Sequence, residues 1–351
     1  MPLVVKALRA ACLVTTLLLG GCAANARGAP DSFAPLVKRV LPAVVNIAVT
    51  ESVSGQDMLR DMPAELRDTP LGRSFRRRFG NKRELTMGAG SGFIIDASGI
   101  IVTNNHVVGH AENIVVSMTN GRQYKAVLLG QDQLTDIAVI KVVAEGPLPT
   151  VTWGDSRRME VGDWILAAGN PFGLGGSVTA GIISAEGRDL RSGPFDNFLQ
   201  LDAPINPGNS GGPVFNMDGQ VIGVSSVILS PTGASVGIGF AIPSETVSPV
   251  VRQLMAKGSI QRGWLGVSVA DQDNNVLISG MDRDGPAAQA GVQAGDTVLA
   301  LNGEPVVTSR GLIRAVAAVT PGGQAEVTVR RGGKTMRIPV VVGLRPTARA
   351  Q

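Results

Sequence analysis

The chain has 351 residues, 45 of them glycine, with 44% apolar and 4% aromatic content and a formal net charge of +4. Its two cysteines, Cys12 and Cys22, both lie near the N-terminus, so the body can hold no disulfide framework, cysteine zinc site, iron–sulfur cluster or cysteine nucleophile. Two histidines, His106 and His110, are too few for a multi-histidine metal centre. The positive charge is concentrated in the leader and in 57–85, which is not the basic face that nucleic acid demands.

Residues 1–26 read as a targeting leader. Lys6 and Arg9 precede an apolar run from Ala10 to Leu19, too short for the roughly 20 residues of a bilayer span. Leu19-Gly20-Gly21-Cys22 predicts lipoprotein processing, with Cys22 acylated and membrane-anchored. Ala24-Asn25-Ala26 offers the competing cut of ordinary secretion. A single uncleaved anchor is the third alternative, and all three place the body in the cell envelope, as a periplasmic protein.

The body, 27–258, is predicted as short β-branched strands between glycine-marked turns: Ala43–Val49, Gly92–Ile95, Ile100–Thr103, Asn113–Met118, Ala126–Leu129, Ile137–Val143, Trp164–Ala168, Ser177–Ser184 and Gln220–Val227. Within it, 51–88 reads as a long loop carrying Arg73, Arg76, Arg77, Arg78, Lys82 and Arg83, with Phe75 and Phe79 as potential anchors. Helical periodicity first appears at Ser244–Lys257, with Gly258 as its stop. A second unit, 259–345, adds strands at Leu265–Val269, Val276–Ile278, Thr297–Leu301, Ala325–Arg330 and Thr335–Val341. Its helical pieces are Pro286–Ala290 and Ser309–Val319.

The chemistry concentrates at Asn206-Pro207-Gly208-Asn209-Ser210-Gly211-Gly212-Pro213. A serine among glycines can be lifted onto a tight turn while a substrate backbone approaches closely. The N–H groups of Gly208 and Ser210, with Asn209 between them, are expected to form an oxyanion hole. Gly208 to Gly212 also fits the nucleophile elbow of α/β-hydrolases, but those enzymes place their histidine after the serine and none follows Ser210. The order His…Asp…Ser remains. His106 follows a β-branched strand, a rigid support for a general base, whereas His110 reads as an exposed loop residue. Of the two acids upstream of Ile137, Asp136 opens an apolar strand and is chosen as the orienting carboxylate; Asp132 reads as a turn residue. Asp271-x-Asp273-x-Asn275 lacks the glycine and glutamate of a calcium loop, and Gly88–Gly92 lacks dinucleotide-binding spacing. No metal or cofactor is expected.

The segments G-S-G-F-I-I-D at 90–96, V-T-N-N-H-V-V at 102–108, T-D-I-A-V-I-K at 135–141, G-N-P-F-G-L at 169–174, V-T-A-G-I-I-S-A at 178–185, N-P-G-N-S-G-G-P at 206–213 and G-I-G-F-A-I-P at 237–243 together resemble the HtrA/Deg family of secreted serine proteases. The resemblance runs from about Ser32 to Gly343. It implies a mainly β fold, a chymotrypsin-like pair of six-stranded barrels followed by a C-terminal PDZ domain. His106 and Asp136 would come from the first barrel and Ser210 from the second. It further implies that Trp264-Leu265-Gly266-Val267 is a carboxylate-binding loop for peptide C-termini, with Arg262 a possible helper or a mere linker charge. Gly187–Phe198 would be a sensor loop facing the PDZ domain. Pro204 stands where trypsin-like enzymes carry a basic-selective acid, and Ile205 favours a small aliphatic P1 residue. Glu186 and Leu201 depart from the family pattern. The implied assembly is a homotrimer packed through Ser32–Val40, and the implied substrates are unfolded envelope proteins cleaved without ATP. A peptide-sensing chaperone scaffold and a dedicated signalling protease are the alternatives.

Overall fold

The structure, a computed structural model, describes residues 30–346 apart from 55–68, 70–82, 174, 207, 231–234 and 274. The leader, Cys22, both processing sites and the centre of the 51–88 segment lie outside the described residues. Among the described residues no helix is long and apolar enough to cross a membrane.

A short helix, α1 (Ala34–Val40), leads into the first barrel. Six strands build it: β1 (Val44–Ser54), β2 (Arg83–Asp96), β3 (Ile100–Asn104), β4 (Asn113–Met118), β5 (Gln123–Asp132) and β6 (Ile137–Val142). They close in the order β1-β2-β3-β6-β5-β4. A four-residue helix, α2 (Asn105–Val108), sits directly after β3. The interior is Val45, Ile47, Ile94, Ile101, Val116 and Ile140, all buried. Each such side chain contributes about 1.5–3 kcal/mol on burial, so β-branched residues do the packing that scarce aromatics cannot.

The second barrel comprises β7 (Thr152–Trp153), β8 (Trp164–Gly169), β9 (Ser177–Arg188), β10 (Phe198–Leu201), β11 (Pro213–Phe215), β12 (Gln220–Ile228) and β13 (Gly239–Pro243). The ring β11-β8-β9-β10-β13-β12 is closed by pairing of β11 with β12, and β7 adds to β12 as a parallel outrigger. Helix α3 (Ser244–Lys257) buries Val247, Val250, Val251 and Leu254, an i, i+3, i+4, i+7 stripe, and packs against β5, β6 and β12. It thereby fastens one barrel to the other, and it ends at Gly258 in the left-handed region.

The C-terminal unit is a sheet ordered β15 (Val267–Gln272), β16 (Asn275–Met281), β17 (Thr297–Leu301), β19 (Gln324–Arg331) and β20 (Lys334–Val341), with β18 (Glu304–Pro305) beside β17. A ribbon of β14 (Gly263–Trp264) and β21 (Gly343–Leu344) joins its ends, and α4 (Pro286–Gln289) and α5 (Ser309–Ala318) cover it. Thr308 caps α5, and Leu312 and Val316 anchor that helix to the core. Buried Asp296 is gripped by Arg331, whose guanidinium holds that carboxyl below the usual carboxylate range.

The 51–88 segment differs from expectation at both ends. The β1–β2 ladder continues from Glu51↔Thr86 out to Ser54↔Arg83, because antiparallel register propagates the pairing beyond the apolar core residues. The strands missed from sequence, β7, β10, β11, β13, β14, β18 and β21, are two to five residues long, too short for an alternating pattern to show.

Candidate active site

Strand β3, buried throughout, delivers the chain to Asn104 and then into α2, where His106 occupies the second position. Across from it, the β5–β6 turn ends at Asp136, whose φ of 54° is unusual for a residue with a side chain. The surroundings hold that conformation. The Asp136 carbonyl accepts from the Asn105 N–H at 3.1 Å and from Asn104 Nδ2 at 2.8 Å. Its carboxylate accepts three more bonds: from the His106 N–H at 2.9 Å, from His106 Nδ1 at 2.7 Å and from the Ser226 hydroxyl at 2.9 Å. With Nδ1–H facing the carboxylate, a neutral imidazole leaves Nε2 free to accept a proton. The His106 side chain is 49% exposed and that of Asp136 27%, so the pair opens to a substrate on the imidazole side.

The same turn is pinned from behind. Asp132, read from sequence as a plain turn residue, is buried and accepts from the Thr135 amide at 3.1 Å and from the Thr135 hydroxyl. It also forms a two-point ion pair with Arg262, at 2.5 and 2.6 Å. The Arg262 guanidinium stacks over Phe195 at 4.6 Å. Arg262 is therefore spent on the first barrel, neither a peptide-carboxylate ligand nor a free linker charge.

Ser210 arrives from the second barrel on a turn that pairs with β12: Gly211 N–H donates to Ser225 O at 2.8 Å and Ser225 N–H to Gly212 O at 2.9 Å. Gly211 has φ 84°, and a Cβ there would strike Ser91 O and Thr103 Oγ1, so no other residue fits. The Ser210 hydroxyl donates to Ser226 O at 3.3 Å. Ser226 thus touches both halves, its hydroxyl on Asp136 and its carbonyl on Ser210. The Asn209 amide closes a turn on Asn206 O at 3.0 Å. That bond occupies the Asn209 N–H, while the amides of Gly208 and Ser210 have no acceptor among the described residues.

His110 is exposed beyond α2 and stands outside this group. Ile205 is 2% exposed and faces Gly239, whose missing Cβ would meet the isoleucine at 2.8 Å. A cleft of about 320 Å³ beside the imidazole is lined by His106, Leu134, Asp136, Phe195, Phe198 and Val227. Glu186 is exposed and Leu201 buried in the second-barrel core. The loop Gly187–Phe198 is held by α5: Arg310 pairs with Asp189, and Arg314 donates to Pro194 O at 2.6 Å and to Asp196 O. At the other end of that unit, Trp264–Val267 turns at Gly266, with Leu265 buried and its carbonyl accepting from Ala287. Among the described residues no three His, Cys, Asp or Glu side chains are grouped to hold a metal ion.

The site residues that sequence reasoning missed are Ser226 and Ser91. Both are polar residues inside apolar strands, and that mismatch was the available signal.

Two family models match: a trypsin-like peptidase domain over residues 90–224 and a PDZ domain over 263–342. The chain is 42% identical to a probable periplasmic serine endoprotease DegP-like of Brucella suis, covering 90% of this chain and 69% of the relative. It is likewise 42% identical to the protein of the same description from Halomonas elongata, over 94% and 74%. Among solved structures, the HtrA-type protease AlgW with decapeptide superposes with a TM-score of 0.76 at 36% identity, over 90% of this chain and 99% of the other. The serine endoprotease from Yersinia pestis gives 0.70 at 35% identity, over 91% and 100%.

Proposed function

The chain belongs to the HtrA/DegP family of serine endoproteases with a PDZ domain, and from that premise we propose that His106, Asp136 and Ser210 cleave unfolded envelope proteins without ATP. The observation that carries this is the Asp136 carboxylate, bound at once by His106 Nδ1 at 2.7 Å and by Ser226 at 2.9 Å, with Ser210 on the same residue's carbonyl. In the acylation step the Ser210 hydroxyl proton passes to His106 Nε2 as Oγ bonds to the scissile carbonyl carbon. The carbonyl π pair moves onto oxygen, where the Gly208 and Ser210 amides receive it. Collapse breaks the C–N bond, and His106 returns its proton to the leaving amine. Water repeats the sequence to release the acyl group. Asp136 holds the imidazole tautomer and offsets its transient positive charge.

Ile205 and Gly239 form the base of the P1 pocket, a floor without charge that suits a small aliphatic side chain. Trp264, Leu265, Gly266 and Val267 receive the carboxylate of a peptide C-terminus, to which β15 can add a strand. The protein assembles as a homotrimer through the segment near Ser32–Val40 and is tethered to the periplasmic side of a membrane by acylated Cys22. A dedicated signalling protease is the second reading. It is favoured by the grip of Arg310 and Arg314 on the loop beside the active-site cleft, which lets PDZ occupancy reach the site.

Incubation of the leaderless protein with a fluorophosphonate and with unfolded casein tests the proposal. Labelling at Ser210 and cleavage after small aliphatic residues are expected, and Ser210→Ala should lose both by a factor on the order of 10⁶ while still binding C-terminal peptides. Absence of labelling and cleavage in the unmodified sequence would reject the enzyme in favour of a scaffold. Cleavage only with added C-terminal peptide would establish the signalling reading.

A further inference from the structure

We propose that Ser91 is the positioning residue of the oxyanion hole: its hydroxyl fixes the Gly208 peptide from the opposite barrel. This rests on the assignment of the Gly208 and Ser210 amides made above. Ser91 lies on β2, is fully buried, and sits opposite Asn46 in the β1–β2 ladder. Its hydroxyl donates to Gly208 O at 2.6 Å and accepts from the Asn170 N–H at 2.8 Å. Its N–H donates to Ser210 O at 2.8 Å, and its carbonyl accepts from the Thr103 hydroxyl at 2.7 Å. One residue of the first barrel therefore binds both ends of the Gly208–Ser210 turn, using its backbone at one end and its side chain at the other.

The orientation of a peptide plane explains why the side chain matters. The Gly208 carbonyl belongs to the peptide that ends in the Asn209 amide, and that amide is committed to Asn206 O. Anchoring the carbonyl on Ser91 fixes the plane of the Gly208–Asn209 peptide, and through the Gly208 Cα it restrains where the preceding peptide, which carries the Gly208 N–H, can sit. Gly208 has no side chain to resist rotation, and its φ of 95° is open to several alternatives. Behind it stands Pro171, which a Cβ on Gly208 would meet at 2.7 Å. Pro171 is in turn located by Asn170, whose amide bonds the same Ser91 hydroxyl. Asn170 is fixed further by Gly176 N–H on its Oδ1 at 3.0 Å. The Ser91 oxygen is thus the common point of the two segments that bracket the Gly208 amide. An alanine there would leave a half-buried carbonyl without its donor and a buried amide without its acceptor, and the readiest relief is a shift of the Gly208 backbone at both φ and ψ. That shift re-aims the Gly208 N–H, one of the two proposed oxyanion donors, without touching His106, Asp136 or Ser210.

Active-site titration combined with steady-state kinetics on a peptide substrate separates positioning from mere stability. For Ser91→Ala, kcat per titrated site should fall tenfold to a hundredfold, the scale of a misplaced or lost oxyanion donor, with KM within about twofold. A peptide boronate, which forms a tetrahedral anion on Ser210, should weaken by the same factor as kcat/KM. Ser91→Cys, a near-isosteric but weaker donor, should fall between the two, which guards against a variant that simply unfolds. If both variants turn over within twofold of the unmodified protein per titrated site, losing only titratable sites or melting temperature, the positioning role is overturned and Ser91 is structural. If the unmodified protein itself shows no titratable serine, it is the protease reading that fails, a result told apart because it precedes any substitution.

Discussion

The two barrels contribute to the site in unequal ways. The first brings most of the proposed base assembly, with Ser226 as the one donor from the second: Asp136 accepts from the His106 amide and ring, and its carbonyl ties down Asn104 and Asn105. Those bonds join α2 to the β5–β6 turn, and the Asp132–Arg262 pair stiffens the turn from behind. The second barrel brings the proposed nucleophile, Ser210, on a glycine-rich turn with few bonds of its own. Its shape depends on Ser91 and Thr103 across the junction and on Ser225 of β12. A general base must be oriented continuously, so most of its supports are close at hand, with Ser226 and Arg262 added from farther along the chain. A nucleophile turn must admit a substrate backbone, so bulk is excluded and its supports come from outside.

The largest expected effect breaks the base half. Asp136→Asn keeps a side chain of the same size but presents an amide to His106 Nδ1, which favours the tautomer with its proton on Nε2. Catalysis of peptide cleavage should fall by about 10⁴ in kcat, with KM nearly unchanged. A loss below tenfold in single-turnover measurements would show that the imidazole is oriented by something other than this carboxylate.

How far this contrast could be read in advance follows from how local each support is. The proposed triad of His106, Asp136 and Ser210 could be named from sequence because a chain with two histidines offers few triads, and each residue sits at a strand end or a glycine turn. Helix α3 and strands β4 and β17 match the sequence boundaries because their apolar spacing is regular and their ends carry turn residues. Ser91 and Ser226 stood out only as polar residues within apolar strands; their partners are 117 and 90 positions away, and no local pattern says what they touch. Arg262 was undecided for the same reason: Asp132, its partner, is 130 positions upstream. Strand β11, three residues after the nucleophile turn, has no periodicity to detect and exists because β8 and β12 flank it.

A second test addresses the rear support. Removing one partner of a buried ion pair leaves an uncompensated charge and costs roughly 3–5 kcal/mol. Arg262→Met and Asp132→Leu should each lower the denaturation midpoint accordingly. The double variant should lose clearly less than the sum, because neither charge is then left alone. Additive losses would mean that the two side chains act independently despite their 2.5 Å contact, and the picture of a turn stiffened from behind would have to be abandoned.

The smallest expected effect probes the one residue shared by both halves. Ser226→Ala removes the hydroxyl donor to Asp136 but leaves the Ser226 carbonyl that holds Ser210. Asp136 retains the His106 ring and amide bonds, so the base half should keep its geometry, and kcat should drop about tenfold or less, the worth of one hydrogen bond to a charged group at its lower end. Because the hydroxyl is only one of three donors, a drop approaching that of Asp136→Asn would reassign the orienting function to the Ser226–Asp136 contact. The two barrels would then share the base, rather than one supplying it and the other receiving its help.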